Sequence, residues 1–99
     1  MIYNYYDDYI TDYITDEREQ RAIAYVDTLG VSDAQTYERL VVLKTYIITA
    51  KEAMVNDADI FKLKADLYQK EFDALLLTYR EKEAAAQGKS LFTLGLQRG

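Results

Sequence analysis

The sequence predicts an all-α domain, a small bundle of about four helices with a long C-terminal helix and an extended apolar C-terminal tail. Three observations carry this. The stretch Leu40–Val55 reads LVVLKTYIITAKEAMV and is interrupted by charge only at Lys44, Lys51 and Glu52. On a helix, Tyr37, Val41 and Ile48 line one side, Leu40, Leu43, Ile47 and Met54 the adjacent one, and Val42, Tyr46 and Ala50 widen the apolar sector. A helix apolar around most of its circumference is buried by several neighbours, so this one is expected to be the central post. Downstream, Phe61, Tyr68, Phe72, Leu76 and Tyr79 recur at helical spacing. Finally, the chain has no proline, which suits long uninterrupted helices.

The first segment, Ile2–Ile14, holds Tyr3, Tyr5, Tyr6, Tyr9 and Tyr13. A short helix is expected over roughly Tyr5–Ile14, with Asp7 and Asp8 in its first turn, where the helix dipole favours negative charge. Tyrosine combines a large contact area with a polar tip, so these five residues suit a subunit interface. Capping of the chain's own core by the same residues is the alternative. Thr15 or Asp16 should cap a second helix that ends near Leu29, with Asp16, Glu17 and Glu19 in its first turns. Its buried stripe is Ala22, Ile23, Val26 and Leu29, and Gly30 stands where a left-handed residue closes a helix.

Ser32-Asp33-Ala34-Gln35 matches a capping box, which places Ser32 at the N-cap of the central helix. That helix is expected to run to about Val55. Asn56 or Asp57 then caps a final helix over about Ala58–Gln87, with Ile60, Leu63, Leu67 and Leu75 flanking its aromatic stripe. Beyond Tyr79 the stripe stops. Arg80–Gln87 (REKEAAAQ) has high helicity but little to bury, and is expected to project from the domain. Gly88 ends the helix. The tail KSLFTLGLQRG places Leu91, Phe92, Leu94 and Leu96 between Lys89 and Arg98 without helical partners. Docking of this segment into another subunit or a partner, for example by strand addition, is the expected use, with folding back onto its own core as the alternative.

The sequence reads as one domain, 1–87 forming the helical core and projecting helix and 88–99 the docking tail. It has no cysteine and no histidine, which removes disulfides, thiolate sites and the commonest general base and imidazole ligand. Neither the Asp57/Asp59 pair nor the Asp7/Asp8 pair has the spacing of a Ca²⁺ loop, and there is no glycine-rich phosphate loop or nucleophile motif. No catalytic residue, cofactor or metal site is expected, and the chain is not expected to be an enzyme. A net charge of −5 gives no basic footprint for nucleic acid, and no apolar run is long enough to span a bilayer. The charge is unevenly placed: residues 1–17 carry acids and no Lys or Arg, and residues 88–99 the reverse. Solvated termini or head-to-tail complementarity between identical subunits would each explain this.

The tyrosine- and aspartate-rich start (YNYYDDYITDYI), the apolar helix (RLVVLKTYIITAKEA), the long helix (FKLKADLYQKEFDALL) and the apolar, glycine-containing tail together resemble the small all-helical head–tail connector (adaptor or neck) proteins of tailed bacteriophages. The likeness spans roughly residues 5–99. It implies a structural virion protein of the head–tail junction, assembled in the host cytoplasm. Its expected form is a homo-oligomeric ring, usually of twelve subunits, docked beneath the portal protein and followed by a tail or further neck protein. DNA would pass through the channel only as cargo, and no membrane would be involved. Arg80, Lys89, Leu91, Phe92, Leu94, Leu96 and Arg98 would then reach the portal or a neighbouring subunit. An acidic or neutral channel wall lets DNA slide, because each neutralised phosphate would add affinity. The alternative function is a small helical protein-binding module, a regulator or anti-repressor, acting through its exposed tail.

Overall fold

A computed structural model describes residues 1–53 and 58–86. Those residues form four helices: α1 (Asp8–Thr11), α2 (Asp16–Asp27), α3 (Ala34–Glu52) and α4 (Ala58–Ala86). The described part is all-helical, and its C-terminal helix is the longest, as the hydrophobic periodicity requires. α3 is the post around which the others stand, packing against α1, α2 and α4. Its residues Leu40–Leu43, Thr45–Ile47, Thr49 and Ala50 are all buried. Opposite them lie Ile10 and Ile14, Ala22 and Val26 of α2, and Phe61, Ala65, Tyr68 and Phe72 of α4. A fully buried Leu40 or Ile47 contributes about 1.5–3 kcal/mol each, so the apolar run in the middle of the chain is the main source of stability.

The helix starts follow from local chemistry, with two differences from expectation. The Thr15 hydroxyl accepts from the Arg18 amide and caps α2 as expected, and Gly30 adopts φ +67° after it. α3 is capped by Asp33, whose carboxylate accepts from the Thr36 amide at 2.9 Å, and not by Ser32. Ser32 is otherwise engaged: its amide donates to the Tyr79 hydroxyl at 3.0 Å, and its own hydroxyl lies 3.0 Å from the same oxygen. A contact across 47 residues thereby decides between two adjacent capping residues.

The larger difference is α1, which is four residues long instead of the ten expected over Tyr5–Ile14. The amides of Tyr6 and Asp7 both donate to the Tyr46 hydroxyl, at 2.7 and 3.0 Å. Asp7 is extended, at φ −89° and ψ 107°, and caps α1 instead of lying in its first turn. On the far side, single-turn bonds from Tyr13 to Ile10 and from Ile14 to Thr11 close the segment before Thr15. α3 ends at Glu52, with Ala53 as its cap, two to three residues before the expected end. The expected caps Asn56 and Asp57 lie outside the described residues.

Candidate interaction surface

The N-terminal segment is fastened to the bundle by two buried carboxylates. Glu19 lies in the first turns of α2, as expected, and its side chain turns inward and is 1% exposed. It accepts from the Ile2 amide at 2.8 Å, the Tyr3 amide at 3.2 Å and the Tyr5 hydroxyl at 2.6 Å. Burial pushes the Glu19 carboxyl up, but the Tyr5 hydroxyl and the Ile2 and Tyr3 amides outweigh it and hold the group below its ordinary value. Asp7 is equally enclosed. Its carboxylate accepts from the Tyr9 and Ile10 amides at 2.9 and 3.2 Å, from Lys64 at 2.8 Å, and from the Tyr68 hydroxyl. Here too burial opposes ionisation, and Lys64 and Tyr68 overcome it and keep the carboxyl low. Burial, and then the bond to Asp7, pushes the Tyr68 phenol well above its usual range. Each buried charge is therefore met by several donors, the condition under which a carboxylate is tolerated in a core.

This fastening divides the five N-terminal tyrosines. Tyr3 and Tyr5 are half-buried and pack against the core, Tyr5 lying edge-on to Tyr46 with ring centroids 5.7 Å apart. Tyr6, Tyr9 and Tyr13 point outward, at 69%, 57% and 41% exposed. Tyr6 still leans edge-on against Tyr46 at 5.4 Å, and Tyr13 against Phe61 at 5.3 Å. Lys64 stands 5.1 Å from the Tyr9 ring centroid. Two of the tyrosines thus seal the core, and three present their faces to solvent.

α4 carries further exposed apolar residues. Leu63 and Leu67, expected beside the core, are 70% and 50% exposed, and Leu77 is 53% exposed. At about 100° per residue, Leu63, Leu67, Ala74 and Leu77 fall on one stripe opposite the buried Phe61, Tyr68, Phe72 and Tyr79. α4 is the outermost layer on α3, so one of its sides has no neighbour within the described residues. Asp59, Asp66, Glu71, Asp73 and Glu81 border the stripe and are exposed, with Lys70 set within it.

At the other end of the bundle, Arg80 donates to the Leu29 carbonyl at 3.0 Å, which fixes it to the turn after α2. Ala84, one turn further, is 6% exposed. The expected projection of Arg80–Gln87 therefore does not begin at Arg80. Lys89, Leu91, Phe92, Leu94, Leu96 and Arg98 lie outside the described residues. On the opposite edge, Glu52 at the end of α3 accepts from Arg18 and from both terminal nitrogens of Arg21, which depress its carboxyl to about 2, Arg21 contributing most.

Among the described residues no group of three or more acidic side chains is placed to hold a metal ion, and no helix is long and apolar enough to cross a membrane. The site is thus an outward tyrosine and leucine surface on an all-helical domain. No family model matches the chain, and neither a curated protein nor a solved structure is similar to it.

Proposed function

We propose that this chain is a structural, non-catalytic virion protein of a tailed bacteriophage, a head–tail connector. In this reading identical subunits form a ring, usually of twelve, that joins the capsid portal to the tail and lines part of the DNA channel. One observation carries the reading: Tyr6, Tyr9, Leu63, Leu67 and Leu77 are each at least half exposed, while other residues form the buried core. An apolar surface rimmed by polar groups marks a contact with another macromolecule. The exposed acids Asp8, Asp12, Asp16 and Glu17 add support, since a wall of that charge would not hold a passing genome.

The test is electron microscopy of the protein alone and mixed with its candidate portal. Rings stacked on the portal are the expected result. Deleting Lys89–Gly99 should leave helicity intact and abolish docking. A truncated protein that still docks, or full-length monomers that never contact the portal, would refute the proposal and favour the regulator or anti-repressor reading.

A further inference from the structure

The acidic-bordered leucine stripe of α4 and the basic-bordered apolar segment of the tail are complementary in length, polarity and charge. On α4, Leu63, Leu67, Ala74 and Leu77 cover about 21 Å of helix at 1.5 Å per residue. Five exposed acids, Asp59, Asp66, Glu71, Asp73 and Glu81, border them over about 33 Å, against three exposed bases on the same helix, Lys62, Lys70 and Lys82, so the surround is acidic by two charges. In the tail, Leu91, Phe92, Leu94 and Leu96 cover about 17 Å when extended, and Lys89 and Arg98 stand about 30 Å apart. Between these two bases there is no acid. Phe92, Leu94 and Leu96 share the period of two that puts extended side chains on one face. An apolar strip with a base at each end therefore meets an apolar strip with acids at each end, at matching spans.

We infer that the α4 stripe of one copy is the receptor for residues 89–98 of a second copy of this chain. The inference rests on the ring reading and adds to it the surface that receives the tail. Because donor and receptor are different surfaces, the contact is heterologous, and each subunit can give a tail to one neighbour and accept one from the other. That pattern closes into a ring when the rotation between subunits permits. The bordering charges set the alignment of the tail and disfavour an acidic competitor, and the leucines supply the affinity.

The absence of cysteine makes the test direct. One copy carries Leu94→Cys, and a second, differently tagged copy carries Leu67→Cys or Ala74→Cys. All three are single thiols in otherwise full-length protein. Oxidation of the mixture without portal should give a crosslinked species containing both tags. Leu67→Glu added to the Ala74→Cys receptor copy should reduce its yield about tenfold. Leu67 is half exposed, so helicity by circular dichroism should be unchanged, separating lost docking from lost folding. No mixed-tag species, or a Leu67→Cys/Leu94→Cys double variant that closes only within one chain, would overturn the inference. Portal-docked rings that persist in the Leu67→Glu protein would also overturn it while leaving the ring reading standing. Loss of rings in the unaltered chain would instead overturn the ring reading.

Discussion

Replacing Asp7 with alanine should be among the most damaging single changes in the chain, although Asp7 lies in the N-terminal segment outside the main helices. The substitution removes the α1 N-cap, worth about 1 kcal/mol. It also leaves the Tyr68 hydroxyl, on a residue 7% exposed, without its acceptor, a loss of about 2 kcal/mol. The Lys64 contact adds about 1 kcal/mol, since a side chain 24% exposed can recover water by turning outward. The total of about 4 kcal/mol would lower the urea midpoint by roughly 3 M at a slope near 1.2 kcal/mol per M. Asp7→Asn keeps the cap and loses only the charge, and should cost about half as much. The assay is urea unfolding at pH 7 followed by circular dichroism, with Tyr68→Phe and the double variant completing a cycle. Coupling of about 1.5–3 kcal/mol between the two positions is expected. A loss below 1 kcal/mol in Asp7→Ala, or additive single variants, would show that the carboxylate does not fasten the segment and would refute the reasoning.

Four further outcomes are expected. The Thr49 hydroxyl is fully buried without a partner among the described residues, so Thr49→Val should stabilise by about 1 kcal/mol and raise Tm by about 4–8 °C in a thermal melt. Gly30 sits at φ +67° and an added Cβ would meet none of the described residues, so Gly30→Ala should cost about 1 kcal/mol of backbone strain, read as a lower urea midpoint. In acid, the folded-state values of Asp7, Glu19 and Glu52 lie below their unfolded ones. Their contribution is therefore complete above the ordinary carboxylate range and is lost as pH falls through the depressed values, so unfolding free energy should be flat near pH 6–8 and decline below about pH 4. In alkali the sign reverses. Tyr5 and Tyr68 are raised by burial first, and Tyr37 is pushed up to about 12 chiefly by its bond to Asp27. Their contribution is complete below about pH 10 and is lost as pH rises through the folded values, so ultraviolet titration should show tyrosines that ionise late and together with unfolding.

Much of the fold was legible because helical periodicity and capping are local. The burial of Leu40–Leu43 and Ile47, the cap at Thr15 and the left-handed Gly30 each follow from residues within one or two turns. What escaped was long-range. Nothing near Glu19 announces that it will accept from Ile2, Tyr3 and Tyr5, and nothing near Asp7 points to Tyr68, 61 residues away. These partners could have been sought by one rule, that an acid on the apolar side of a helix needs donors. Glu19 is three residues before Ala22 and seven before Val26, which places it on the buried stripe. Leu63 and Leu67 were misjudged for another reason. Helical spacing identifies apolar residues on α4 but does not say how wide a sector α3 can cover, and a single neighbouring layer covers only about half of a helix.

The bonds from Asp7 to Lys64 and Tyr68 also impose an order on synthesis. The segment around Asp7 cannot take its final place until the chain has been made past Tyr68, and the intervening helices must already stand in position to receive it. Contacts of such sequence separation come late in folding because the chain between them must first be ordered. During that interval the N-terminal tyrosines, including the two that later close over the core, remain open to other proteins. That delay leaves a period in which the side chains that later close the core are still uncovered.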